Sequence, residues 1–159
     1  MRMLKEQKIL VFDPRICTGC RSCEIACSFK FYKICSYEKA RIRHRFFLEK
    51  GTFEAIYCQH CEDPLCVASC PVNAIKKDEE TGIVKINGMK CIGCQNCNIA
   101  CPVHAPQFDK DRKISVKCNL CDGNPECVKF CSTRAVRLVN REEADKLLKE
   151  IYGAWRANE

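Results

Sequence analysis

The chain has 159 residues, 17 of them cysteine, and a formal net charge of +7. This length suits one domain or two very small ones, and cysteine at about a tenth of the residues makes its chemistry the dominant constraint. The odd count and spacings of two and three residues exclude a disulfide framework, and no apolar run approaches the roughly 20 residues of a membrane-spanning helix.

The hydrophobic fraction includes those cysteines, so the hydrocarbon core is thin. Whatever the cysteines bind must then supply much of the folding free energy, and the apo chain is expected not to fold. The stretch from Met1 to Lys8 precedes no apolar export segment and carries no twin arginine, so the expected location is the cytoplasm.

In chain order, Ile9-Leu10-Val11-Phe12 predicts a strand that runs through Asp13-Pro14 into a first cysteine motif, Cys17, Cys20, Cys23 and Cys27. Ser28 stands where a proline would end the following helix, so that helix is expected to continue. In residues 41–57 a hairpin is predicted. Ile42, His44, Phe46 and Leu48 alternate with Arg41, Arg43, Arg45 and Phe47; Gly51 turns the chain, and Phe53, Ala55 and Tyr57 alternate back. The arginine row reads as the solvated side of a strand. Cys35, outside any motif, reads as a small buried apolar residue.

The second motif is Cys58, Cys61, Cys66 and Cys70, with two residues inserted before its third cysteine and Pro64 shaping the wider loop. His60 within it is expected to pack or to orient a neighbour and not to carry protons. A hairpin follows, Ala74-Ile75-Lys76 and Ile83-Val84-Lys85-Ile86 around the polar turn 78–82.

The third motif reads Cys91-Ile-Gly-Cys94-Gln-Asn-Cys97-Asn-Ile-Ala-Cys101-Pro102. A second short hairpin should lead through Ile114-Ser115-Val116 into the fourth motif, Cys118, Cys121, Cys127 and Cys131. There Asp122-Gly123-Asn124-Pro125 is turn chemistry, and Ser132 again replaces the proline. A last strand is predicted at 135–139. Asn140 is placed as the cap of a helix with Glu142 and Glu143 in its first turn. Ala144, Leu147, Leu148, Ile151, Tyr152 and Trp155 form one apolar face of that helix, expected to pack on the chain itself.

The repeat is therefore four cysteine quartets, each followed by strand-forming residues, and it accounts for all cysteines except Cys35. The third quartet is the run C-x2-C-x2-C-x3-C-P of bacterial ferredoxins. Three thiolates two residues apart on a curled loop can each reach one iron of a cubane, whereas the fourth, a helical turn further on, serves another cluster. Four-cysteine zinc sites use pairs of Cys-x-x-Cys and not triplets followed by a fourth cysteine. Each oxidised 4Fe–4S centre with four thiolates adds about −2, so four would bring the holoprotein to about −1. The lysines and arginines are then local counter-charge, and no nucleic-acid partner is implied.

Over roughly residues 9–139 the arrangement resembles the four-cluster ferredoxin-type electron-transfer subunits. Among these are the iron–sulfur subunit of dimethyl sulfoxide reductase and relatives in formate dehydrogenases, hydrogenases, carbon monoxide dehydrogenase systems and tungsten aldehyde oxidoreductases. The resemblance implies an α+β fold of two nested ferredoxin-like units with short strands and helices, plus a C-terminal helix. The inner unit spans about 55–115, the outer about 9–30 with 116–139, and the helix about 141–156, all within one polyferredoxin domain. It also implies four 4Fe–4S clusters. Cys17, Cys20 and Cys23 would share one with Cys131, and Cys118, Cys121 and Cys127 one with Cys27. Cys58, Cys61 and Cys66 would pair with Cys101, and Cys91, Cys94 and Cys97 with Cys70.

The function implied is a non-catalytic subunit relaying single electrons between a catalytic oxidoreductase and an acceptor or donor. A tungsten- or molybdenum-pterin enzyme is the favoured partner, with a hydrogenase or carbon monoxide dehydrogenase system next and a soluble ferredoxin as a further one. Through its partner the chain could sit at the inner membrane face. A free-standing polyferredoxin is the alternative. An independently catalytic iron–sulfur enzyme is disfavoured, because the C-x3-C-x2-C run of radical enzymes is absent and no nucleophile or phosphate-binding motif stands out.

Overall fold

A computed structural model describes residues 7–48 and 51–156, with side chains to residue 153. The strands are β1 (Lys8–Phe12), β2 (Arg43–Phe47), β3 (Thr52–Ile56), β4 (Ile75–Lys77), β5 (Val84–Ile86), β6 (Gln107–Asp109), β7 (Ile114–Val116) and β8 (Val136–Asn140). The α-helices are α1 (Ser22–Tyr32), α2 (Leu65–Ala68), α3 (Asn96–Ile99), α4 (Glu126–Lys129) and α5 (Arg141–Arg156). The strands form four antiparallel two-stranded sheets, β1 with β8, β2 with β3, β4 with β5 and β6 with β7.

The β1–β8 pair joins segments far apart in the sequence, with Leu10 opposite Leu138 and Phe12 opposite Val136. Its unbroken apolar run is explained by burial on both faces. Leu10 and Phe12 face the cysteine-rich core beside Cys23, Cys27, Cys118 and Cys127. Ile9 and Val11 face the other way, under Ala144, Leu147, Leu148 and Ile151 of α5. The helix therefore packs on its own chain, as its stripe predicts. Tyr152, expected on that face, is 40% exposed, and the Trp155 side chain lies outside the described residues. Asn140, the expected cap, is also the last residue of β8, paired with Lys8, and directly precedes α5.

Three of the four motif helices are a single turn. After each, the residue three positions beyond the fourth cysteine is left-handed: Asn73, His104 and Arg134, with φ of 50°, 47° and 56°. Their N–H groups donate to the carbonyls of Cys70, Cys101 and Cys131. The stop is the same after Ser132 as after Pro71 and Pro102, so proline is not its cause. Only α1 runs on, for eleven residues. There Ser28, fully buried, donates to the Ile25 carbonyl at 3.0 Å and accepts the Ser36 N–H at 3.0 Å, in space a proline ring would deny.

The β2–β3 hairpin forms with Phe46 opposite Phe53, but its faces differ from the expected ones. Ile42 is buried, whereas Phe46 and Leu48 are exposed. Arg41 and Arg43 are half-buried and held by distant partners. The Arg41 guanidinium stacks 3.4 Å from the Phe31 ring and donates to the Lys117 carbonyl, and Arg43 donates to the His104 carbonyl. Only Arg45 of the row is exposed. Alternation identifies the two faces, but the neighbours that cover them come from distant sequence. Cys35 is likewise exposed and not buried.

Candidate iron–sulfur centres

All four motifs share one backbone kink. The residue before the second cysteine is left-handed in each: Gly19 (φ 69°), His60 (φ 46°), Gly93 (φ 71°) and Leu120 (φ 55°). This kink turns the first two cysteines of a motif toward a common centre. Glycine takes the conformation without strain, whereas His60 and Leu120 adopt it at a cost of about 1–2 kcal/mol. Both are buried, which holds them there. The glycines at 19 and 93 are the sequence signal for this repeat; its non-glycine members give none.

The sulfurs receive backbone N–H groups. The fourth cysteines are met by Arg41 N–H on Cys27 (3.2 Å), Ala74 on Cys70 (3.2 Å), Ala105 on Cys101 (3.5 Å) and Val136 on Cys131 (3.4 Å). First cysteines are met by His60 on Cys58 (3.4 Å), Ser115 on Cys91 (3.4 Å) and Leu120 on Cys118 (3.4 Å). Such bonds favour thiolate sulfur and are a main determinant of cluster potential.

The thiols fall into neighbourhoods that cross the motifs. Burial raises the pKa of Cys17 and pushes that of Cys23 up to about 12, and the nearby Cys131 adds to both. Burial likewise pushes Cys118 up to about 12 and raises Cys127, and Cys27 adds to each. Cys66 is pushed up to about 11 by burial, with Cys58 and Cys101 contributing. Cys97 is raised by burial, with Cys91 and Cys94 adding, and it packs with Cys70 and Cys66 against Ile75 and Val84. Exposed Cys20 differs: hydrogen bonds from Ser22 lower its pKa. Cys23, Cys66 and Cys118, pushed this far up, keep their protons at neutral pH unless a metal displaces them.

Among the described residues no three His, Cys, Asp or Glu side chains close on a single ion. The donor set is sulfur throughout, embedded in apolar packing and supplied with N–H donors, and it fits iron–sulfur clusters. Two histidines lie close to it. His60 is buried, accepting the Val84 N–H at Nδ1 (2.9 Å), and burial pushes its pKa down to about 3. It packs and positions, as expected. His44 stands 3.8 Å from Cys23 Sγ and edge-on to Phe12, with buried Glu24 accepting its backbone N–H.

Comparison with known proteins agrees with this site. The 4Fe-4S dicluster domain family matches residues 50–141, and the protein belongs to that family. It is an iron–sulfur electron-transfer subunit of the kind found in oxidoreductase complexes, with 4Fe–4S clusters as cofactor. It is 41% identical to the polyferredoxin-like subunit of an aliphatic sulfonate oxidoreductase from Pyrococcus furiosus, over 96% of this sequence and 83% of the relative. The electron transfer subunit of thiosulfate reductase from Salmonella typhi is 31% identical, over 91% and 82% respectively. A subunit of anaerobic dimethyl sulfoxide reductase from Haemophilus influenzae is 35% identical, over 93% and 79%. No helix among the described residues is long and apolar enough to cross a membrane.

Proposed function

We propose that the sixteen motif cysteines hold four 4Fe–4S clusters in the pairing the resemblance implies. Cys17, Cys20, Cys23 and Cys131 hold one; Cys27, Cys118, Cys121 and Cys127 a second. Cys58, Cys61, Cys66 and Cys101 hold a third, and Cys70, Cys91, Cys94 and Cys97 the fourth. The observation that carries this is the grouping of thiols across motifs, with Cys131 beside Cys17 and Cys23, and Cys101 beside Cys66. The pairing of β1 with β8 around the other elements supports an inner unit at about 55–115 nested in an outer one at about 9–30 and 116–139.

When bound, the clusters supply one-electron redox chemistry, and the chain's part is to hold, space and insulate them. Contacts between groups support a linear order: Cys97 neighbours Cys66, Cys118 neighbours Cys58, and Cys127 neighbours Cys23. Electrons would then pass from end to end of the molecule, crossing between inner and outer units at the Cys58–Cys118 step.

The catalytic partner is a tungsten- or molybdenum-pterin oxidoreductase, and the complex works in the cytoplasm or at the inner membrane face, exchanging electrons with a soluble ferredoxin. The likeness to subunits of sulfonate, thiosulfate and dimethyl sulfoxide enzymes supports such a partner. Anaerobic purification of the native complex, with metal analysis, tests the reading. Tungsten or molybdenum with four clusters per chain is expected. Nickel instead would redirect it to a hydrogenase or carbon monoxide dehydrogenase system, and a chain that purifies alone would favour a free shuttle.

A further inference from the structure

Lys117 immediately precedes the first cysteine of the fourth motif, and it is 3% exposed. Its ammonium has three hydrogens, and the fold offers three acceptors: Cys58 Sγ at 3.1 Å, the Cys118 carbonyl at 3.0 Å and the Val84 carbonyl. Val84 is itself held in place, since its N–H donates to the buried ring of His60. Among the described residues no carboxylate pairs with Lys117. Burying an ammonium without an opposing charge is costly, and carbonyl dipoles replace only part of its hydration. The missing negative charge has to come from what the flanking cysteines hold.

We propose that the Lys117 ammonium is the fixed counter-charge of the cluster held by Cys58, Cys61, Cys66 and Cys101, and that it raises that cluster's reduction potential. The proposal rests on the ligand assignment given above. Reduction adds one electron to a centre already anionic, and no proton or bond need move with it. A cation donating directly to one of the ligand sulfurs stabilises the more negative state by more than the less negative one. The same ammonium also binds the Cys118 carbonyl, so it stands where the inner and outer units meet.

The test is an anaerobic redox titration of the intact complex, followed by electron paramagnetic resonance, on wild type and on Lys117→Met, Lys117→Gln and Lys117→Arg. In the Met and Gln variants one cluster becomes harder to reduce. Its reduced-to-oxidised ratio at fixed poise falls about tenfold, a shift of about 59 mV for a one-electron couple. Lys117→Arg keeps the wild-type value. The spectrum of the shifted cluster is the one altered by Cys58→Ser. Unchanged potentials in fully loaded Met and Gln variants would overturn the proposal, and so would loss of every cluster in both, which would assign Lys117 to folding. A shift in a cluster that Cys58→Ser leaves untouched would overturn it differently, through the ligand assignment.

Discussion

The Tyr32 hydroxyl donates a 2.8 Å hydrogen bond to Asp109 Oδ2, tying the end of α1 to β6 across 77 residues of sequence. Lys39 and Arg112 also face that carboxylate, which is almost fully buried. A hydrogen bond to a charged group is worth about 1.5–3 kcal/mol, so Tyr32→Phe should lower the anaerobic thermal midpoint of the holoprotein by that equivalent. Scanning calorimetry of the two proteins measures it, and an unchanged midpoint would mean the bond is not held in solution.

The same carboxylate predicts a pH dependence. Burial alone would raise its pKa, but the Tyr32 hydroxyl, the Arg112 and Asp111 N–H groups and Lys39 outweigh this and hold it below the usual value. A depressed carboxyl stabilises the fold above the unfolded pKa of about 3.9, and that contribution is lost as pH falls through the folded value. The gap in thermal midpoint between wild type and Asp109→Asn should be full at pH 7 and narrow only toward pH 4 and below. A gap that narrows between pH 8 and 6 would point to another group.

Gly93 permits the third motif to curl. Its φ is 71°, and a Cβ there would stand 2.5 Å from the backbone carbonyl of Lys113. Gly93→Ala combines left-handed strain of about 1–2 kcal/mol with a clash that backbone cannot easily relieve. Iron content after anaerobic reconstitution should fall selectively at the third motif. Full loading would show that the loop can open elsewhere.

Cys101 tests the crossing of ligands between motifs. Cys101→Ser should damage the cluster of Cys58, Cys61 and Cys66 before that of Cys91, Cys94 and Cys97, its own motif. Mössbauer or paramagnetic resonance spectra, compared with those of Cys58→Ser and Cys91→Ser, distinguish the two. The reverse order of damage would break the proposed nesting.

Ile151 is fully buried against Ile9 and Val11. Truncating it, Ile151→Ala, should cost about 2–5 kcal/mol. Because α5 lies on the sheet face away from the cysteines, the visible cluster spectrum at 25 °C should be unaltered while the thermal midpoint drops. A changed spectrum would extend the helix's influence to the centres.

The motifs, the hairpins and the packing of α5 are legible in the sequence, because each rests on local spacing or on one strong periodicity. The continuous run at 9–12 correctly announces a strand, and its burial on both faces follows once α5 is placed over it. What stays hidden depends on neighbours far along the chain. Arg41 is held by Phe31 and Lys117, and its row therefore looks like an ordinary solvated edge. Cys35 carries no local mark of exposure. Leu120 and His60 adopt a glycine-like backbone because burial holds them there, which no propensity reports. Lys117 reads as one more basic residue, since its acceptors come from Cys58 and Val84 in other elements.

The antiparallel register of Lys8 to Phe12 against Asn140 to Val136 also sets a timetable for synthesis. β1 is completed by β8, so it stays unpaired until the elements between them have been translated. Hairpins β4–β5 and β6–β7 close locally and can form as they emerge, whereas the sheet beneath α5 is a late, long-range closure. In the proposed pairing, the ligands of the two inner clusters are complete once Cys101 has been made, whereas those of the two outer clusters wait for Cys131.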